Sequence, residues 1–425
     1  MKDNSYLTVA LLFLCALVGI HCTPPTTNIE PSQEQAFESH QSVEKQSQDF
    51  QEQDTIADAS LPQTEEGPEQ KTQTEAHEHA PEKQQPEPEV IPPEVSKEQQ
   101  TAELPVERIP EKVPPPQIKG DLIDWIKRWN YGKDKGNNFT PIPSVQKVDF
   151  RNLIESLLKR DIPKVMSLSA KVGMKLNQFL DTPSQKRFWL LHEIDLKNPK
   201  GKGIYVVPLN PLRRLVIQAP HPIKDTNTNG EAAHLTRHLL PTLMMVASLN
   251  RCNHSQATSC SGSTSQCGGG RYRISDAAHH VESYFHIAHT VVAQSSLKLV
   301  AIQLHGFARK TDEPSVYLSN GTKIQAKAGS IGLKLRDEIN KVLKANGLFS
   351  SRSCNDPKGK SVRLCGTTNV QGRHTNGVSL ACTQSAKQAT DRFIHVEQRI
   401  RLRTGTKPGP GYLINPLKAL FPQQD

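Results

Sequence analysis

Two apolar runs, each closing on a histidine, constrain this chain more than any other feature. The first runs from Leu215 to Ala219 and is followed by Pro220 and His221. The second runs from Leu297 to His305 and is followed by Gly306 and Phe307. Strands buried on both faces of a parallel sheet read as short, nearly continuous apolar runs. Open α/β sheets bind their ligands at the carboxyl ends of such strands. Two strand-end histidines, with Asp225 and Glu231 between them, form the nitrogen and oxygen donor set that zinc takes, and they point to hydrolytic chemistry.

The segments around these runs alternate between strand and helix patterns. Asp121 to Ile126 reads as a short helix with an acidic start. Residues 149–180 show helical spacing, with Phe150, Leu153, Leu157 and Leu158 on one face. Strands are predicted over 187–194, 203–208, 214–219, 297–304 and 392–397. Helices are predicted over 231–249 (despite Pro241), 276–294 and 330–346. Ser, Gly and Cys dominate 252–270, which reads as a loop pinned by disulfides. Alternating strands and helices argue for a mainly parallel sheet covered on both faces. Four parts follow: a signal or anchor over 1–22, a spacer over 23–118, a helical cap with the first strand over 119–200, and a hydrolase core over 201–415.

Charge separates the spacer from the body. Residues 23–118 carry 21 Asp and Glu against 6 Lys and Arg, a net of −15, while residues 119–425 carry 45 bases against 21 acids, a net of +24. The spacer is rich in Gln, Glu and Pro, and its only aromatics are Phe37 and Phe50. Such a composition cannot bury enough apolar surface to offset chain entropy, so this acidic tail is expected to be disordered. A strongly basic body implies an anionic partner, either an external polymer or the acidic tail folded back on it.

At the N-terminus, Lys2 precedes an uncharged run from Leu7 to Ile20, the length of a signal h-region and short for a membrane span. His21-Cys22 departs from a bacterial lipobox, which leaves lipidation at Cys22 and an uncleaved anchor both open as membrane tethers. Six further cysteines (Cys252, Cys260, Cys267, Cys354, Cys365 and Cys382) lie in the body. In an exported chain an even number suggests disulfides. Six allow 15 connectivities, and a zinc-cysteine site is the rival reading, although paired Cys-x-x-Cys spacing is missing.

Several residues could carry chemistry. A zinc ligand must be a neutral imidazole on a rigid element, which suits His221 and His305, although a buried structural histidine is the plain alternative. Asp225 and Glu231 lie four and ten residues after His221, and either could complete a three-ligand site. Glu231 also fits ordinary first-turn placement at a helix N-terminus. Asp276 and His279 suit supporting roles, orienting a ligand histidine or lining a cleft. Strand alternation puts Phe393, His395 and Glu397 on one face. Glu397 could therefore act as general base and then acid, or pair with Arg399 or Arg401 at the surface. Asn369 and Arg373 occupy a polar turn before that strand, where Arg373 could clamp a substrate carboxylate or simply face solvent.

The order of these features resembles the zinc-dependent N-acetylmuramoyl-L-alanine amidases and, more loosely, the N-formylglutamate amidohydrolases. The resemblance covers about residues 214–400. It implies that His221, Glu231 and His305 bind one zinc ion, with Asp225 as the alternative ligand, and that Glu397 is the catalytic carboxylate. Arg273 and Asp276 fall where the amidases have an Arg-Asp element. The fold implied is a three-layer α/β/α sandwich of the phosphorylase/hydrolase type. The amidases' Gly-His-Gly-Gly stands here as Pro220-His221-Pro222-Ile223, and their Ser-Ile-His-Ala-Asn as Gln303-Leu304-His305-Gly306-Phe307, which bears on the substrate more than on the metal.

The expected function is an exported, periplasmic or envelope-associated amide hydrolase, whose zinc lowers the pKa of bound water to about 7. Its basic surface would hold an anionic envelope polymer such as peptidoglycan. A non-catalytic envelope-binding protein on an acidic tether is the alternative. Nucleic acid is not an expected partner, because export argues against it and an aromatic share of 5% offers few stacking platforms.

Overall fold

The computed structural model describes residues 114–308, 313–358 and 363–424. The expected signal, Cys22 and the acidic spacer up to residue 113 lie outside the described residues. The spacer's expected end at 118 comes too late, because Gln117–Gly120 already pairs as a strand (β1).

The first helices follow their capping chemistry. In α1 (Leu122–Lys127) the Asp121 side chain accepts from Ile123 and Asp124 N–H, satisfying donors that a helix start leaves free. In α2 (Ser144–Lys159) Phe150, Leu153, Ile154 and Leu157 are buried, and the helix ends on left-handed Arg160. In α3 (Ile162–Lys171) Asp161 caps the start. The helical spacing expected to continue to residue 180 stops there, and β2 (Met174–Asp181) follows as a strand. Next come β3 (Lys186–Glu193), β4 (Ile204–Pro208) and β5 (Arg213–Ala219).

Two expected helices are shorter than predicted. The first, α4, spans Thr228–Leu239 and stops on left-handed Leu240, after which Pro241–Val246 forms β6. Pro241 cannot continue a helix, and the apolar run behind it is buried like a parallel strand. The second, α5, spans Tyr284–Ser295 and begins where Ser283 accepts from His286 N–H. Residues 276–283 form turns ahead of this helix, so Asp276 and His279 stand on a loop and not on a helix.

The second histidine run forms β7 (Val300–Phe307), followed by β8 (Val316–Ser319). α6 (Ile331–Ala345), capped by Ser330, leads to the short β9 (Ser351–Ser353). α7 (Val370–Thr375) is capped by Asn369 and leads to β10 (Phe393–Arg399). α8 (Ile400–Thr404) and α9 (Ile414–Leu420) close the chain.

Among the described residues, ten strands join one sheet in the order β1-β2-β3-β4-β6-β5-β7-β10-β8-β9. The mainly parallel sheet that was expected is instead mixed. Its centre, β6-β5-β7-β10, is parallel, whereas β2-β3, β3-β4, β4-β6 and β10-β8 pair antiparallel. Residues 119–200 thus supply sheet strands as well as helices. Helices cover both faces. Leu122, Leu235, Ile339 and Leu417 pack with Leu215, Ile217 and Ile302 on one side. Phe150, Val165 and Phe285 pack with Val216, Ala301 and Phe393 on the other. Among the described residues no helix is long and apolar enough to cross a membrane.

The six body cysteines pair as Cys252–Cys267, Cys260–Cys382 and Cys354–Cys365, which leaves none of them for a zinc-cysteine site. The second closes a separation of 122 residues and the third one of 11. Chain entropy then ranks them, at about 5 kcal/mol for the long loop and about 3 kcal/mol for the short one. Urea unfolding of the Cys260→Ser/Cys382→Ser pair should show a larger stability loss than the Cys354→Ser/Cys365→Ser pair. The reverse order would contradict this ranking.

Candidate metal centre

The parallel strands at the centre of the sheet align three rows on one face. Val216, Ala301 and Phe393 form an apolar row. Two residues on, Gln218, Gln303 and His395 form a polar row, and another two residues on, His305 stands beside Glu397. His221 follows β5 after a single residue, Pro220. Pro220 ends the strand pairing there, and the turn that follows brings Asp225 N–H back to His221 C=O at 3.1 Å.

Asp225, His221 and His305 converge at this end. Asp225 Oδ2 lies 3.1 Å from His221 Nδ1 and 3.1 Å from His305 Nδ1. Each ring's other nitrogen is already engaged: His221 Nε2 lies 2.8 Å from Asp276 Oδ1, and His305 Nε2 lies 2.8 Å from Gln303 Oε1. Both acceptors require a proton on Nε2. A neutral ring protonated there turns an Nδ1 lone pair toward the Asp225 carboxylate.

Electrostatics sharpen the mismatch. Burial lowers His305 to about 4, so its ring is neutral near pH 7. Burial pushes Asp225 up, but the charge of His221 and its hydrogen bond outweigh this and hold the carboxyl well below the usual range. Burial and Arg251 pull His221 down, yet Asp276 and Asp225 leave it shifted upward. The His305 lone pair therefore faces a carboxylate oxygen where both side chains are buried, and a positive charge between them would resolve the contact. Two imidazole nitrogens and one carboxylate oxygen are a donor set that suits zinc, so these residues fit a divalent ion.

Asp276 is the hub beside this triad. Its carboxylate accepts from His221, from His279 Nδ1 at 2.9 Å, and from Arg251 Nε at 2.8 Å. Burial raises its carboxyl, but Arg251, His279 and His221 bring it well below its usual range. Arg251 also places Nη1 3.3 Å from His221 Nδ1. The ring of His279 stacks on Tyr272 at 3.6 Å. His221, Asp276 and His279 form a second group with metal-ligand spacing, but Arg251 already neutralises its carboxylate.

A third such group joins His305 to His395 and Glu397. His395 Nε2 lies 3.6 Å from Glu397 Oε1. Glu397 Oε2 and His395 Nδ1 are buried without a hydrogen-bond partner. Burial first, and Asp225 second, push the Glu397 carboxyl up to about 8, and a cation in the triad would oppose both effects.

Other expected site residues have different surroundings. Glu231 joins none of the three groups among the described residues. It lies fully buried in the first turn of α4, and its Oε2 accepts from Gln398 Nε2 at 2.9 Å. Burial raises its carboxyl to about 8, so it is a neutral acid near pH 7. Asp225, the alternative, is the acid placed between the histidines. Arg373 is buried rather than aimed at a substrate, and it donates to Thr367, Ala381 and Cys382 carbonyls and to Ser261 Oγ. Arg273 likewise holds loop carbonyls at Ser255 and Cys267. Gly306 lies within β7, which continues to Phe307. Its missing Cβ makes room for the Arg403 guanidinium.

No family model matches the chain, and no curated protein matches it in sequence. Among solved structures it is similar to a bacteriophage poly-gamma-glutamate hydrolase at 14% identity and a TM-score of 0.25, over 50% of this chain and 83% of that one. It is similar to a metallo-carboxypeptidase from Burkholderia cenocepacia at 10% identity and 0.28, covering 51% of this chain and 59% of that one. A metallo-carboxypeptidase from Pseudomonas aeruginosa, in complex with (2-guanidinoethylmercapto)succinic acid, gives 11% identity and 0.28 over 67% and 70%. Likeness this weak does not carry function from one chain to another.

Replacing Asp276 by Asn leaves Arg251 buried without its charge partner and loosens His221. Zinc affinity, read by competition with a chromophoric chelator, should fall by about 10- to 100-fold. Stability should drop by about 3–5 kcal/mol in urea unfolding. Unchanged affinity would remove Asp276 from the support of the site.

Proposed function

We propose that the protein is an exported, zinc-dependent amide hydrolase acting on a cell-envelope polymer, with peptidoglycan the simplest candidate. The observation that carries this reading is the Asp225 carboxylate facing two imidazole Nδ1 atoms whose partner nitrogens are both engaged. His221, His305 and Asp225 would hold one ion per chain. When bound, such an ion polarises a carbonyl and acidifies water.

The chain's own residues supply the rest. Glu397 stands beside His305 across the β7–β10 pairing and keeps Oε2 free of other bonds. It would take a proton from water as the water oxygen bonds to the scissile carbonyl carbon. It would then deliver that proton to the amide nitrogen as the carbon–nitrogen bond breaks, so one carboxyl serves as base and then acid. Asp276 and Gln303 would keep both ligand rings oriented, a role that outer-shell carboxylates and carbonyls play in metal sites. The buried setting strengthens these interactions by excluding water.

The choice of substrate and compartment rests on charge and cysteine chemistry. The net charge of +24 over 119–425 favours an anionic polymer. Three disulfides favour an oxidising compartment outside the cytosol. A tether through the N-terminus would keep the enzyme at the envelope. The resemblance to muramoyl-alanine amidases enters as a choice of first substrate.

Glu397→Gln should lower turnover of muramoyl peptides by about 10²- to 10⁴-fold while elemental analysis still finds one zinc per chain. His305→Ala should lose the zinc as well as the activity. A zinc-replete wild-type protein without bound metal would sink the mechanism. Zinc retention without hydrolysis of muramoyl peptides would reject the substrate instead.

A further inference from the structure

The row of amides behind the ligand histidines is oriented from the backbone. Gln371 Nε2 donates to the Ala277 carbonyl at 2.8 Å, which turns Gln371 Oε1 toward Gln303 Nε2 at 3.3 Å. From the other side, Asn369 Oδ1 accepts from Gly372 N–H at 3.0 Å, which turns Asn369 Nδ2 toward Gln303 Oε1. A backbone carbonyl only accepts and a backbone N–H only donates. Each anchor therefore forces the same orientation on the Gln303 amide. Gln218 Oε1 agrees, accepting from Gln303 Nε2 at 3.1 Å, while its own Nε2 reaches His289 Nδ1 at 2.9 Å. All of these side chains are buried.

We infer that Gln303 is a positioning residue which sets the tautomer of His305. Its oxygen, fixed by Asn369 and Gln371, admits only the Nε2–H form, so that Nδ1 presents its lone pair to a divalent cation at Asp225. The inference rests on the cation-site reading for its consequence but not for its geometry. Gln218 extends the support to β5, and Gln371 of α7 and Asn369, which caps that helix, supply the two side-chain anchors.

The test uses the full-length chain with ¹⁵N-labelled histidine. The His305 ring is assigned by its loss in His305→Gln, and cobalt(II) serves as the metal probe. Metal-free wild type should show His305 protonated at Nε2. Gln303→Met, which keeps the bulk but loses the acceptor, should give a mixture of tautomers and weaken cobalt binding by about 10- to 100-fold. Gln303→Glu keeps an acceptor toward His305 and should hold the Nε2–H form. If Gln303→Met does not fold, Gln371→Met removes one anchor without touching the triad and should shift the same signal part of the way. An Nδ1–H ring in wild type would overturn the inference. So would a Gln303→Met protein with unchanged tautomer and cobalt affinity. Wild type that binds no cobalt yet shows the Nε2–H ring, released in Gln303→Met, would reject the metal reading and leave the tautomer assignment standing.

Discussion

A carboxylate oxygen and an imidazole lone pair do not rest 3.1 Å apart in a buried pocket unless positive charge lies between them. That constraint governs the end of the sheet where β5, β7 and β10 terminate. Asp225 faces the Nδ1 atoms of His221 and His305, and neither ring changes tautomer, because Asp276 and Gln303 hold the opposite nitrogens; the acids around His221 favour its protonated form, so the unrelieved contact is the one at His305. Protonating His305 is disfavoured by burial. A divalent cation would satisfy all three donors at once.

The sheet makes this possible through its period of two. On the face covered by α2, α3 and α5, the strand residues pass from Val216, Ala301 and Phe393 to Gln218, Gln303 and His395, and then to His305 and Glu397. The apolar row supplies burial and the middle row supplies hydrogen bonds. The last row presents ligand and carboxyl. A one-residue slip of β7 would exchange His305 for Leu304 or Gly306, so register along the apolar row fixes the chemistry two and four residues away. The opposite face keeps Leu215, Ile217, Ile302 and Leu304 in a separate apolar core.

Much of this was legible in the sequence because buried parallel strands are local signals. The runs ending at His221 and His305 read as strands and form β5 and β7, and alternation placed Phe393, His395 and Glu397 together. Helix lengths were less legible. The 231–249 pattern ran through Pro241 because an apolar stretch fits a buried helix and a buried strand equally well. The 276–294 pattern ignored Ser283, whose capping bond starts α5 well after His279. In the site, Asp225 and Glu231 could not be separated by spacing, since the turn after His221 decides which acid folds back. Arg251 gave no signal at all: it sits in a loop and reaches Asp276 only through tertiary packing. Gln218 and Gln303 did carry one, because an amide inside a buried apolar strand must find partners. Each is the sole polar side chain in its stretch, Leu215–Ala219 and Leu299–Leu304.

The disulfides act on the same network from outside the sheet. Cys260–Cys382 ties the loop that follows β6 to the loop that follows α7, and Arg373 reinforces that seam by donating to Ser261 Oγ and to the Ala381 and Cys382 carbonyls. Tyr272 and Thr368 join the two segments again through their hydroxyls at 2.8 Å. The loop after β6 carries the Ala277 carbonyl and α7 itself carries the Gly372 N–H, the two backbone groups that orient Gln303. Gln303 in turn orients His305. An oxidised seam between two loops therefore holds fixed the anchors on which a ligand nitrogen depends. Rigid support is what a metal site built partly on loops requires, because ligands must be held to within about 0.5 Å of productive geometry. The cysteines and the histidines, read separately as a compartment signal and a chemistry signal, belong to one mechanical arrangement.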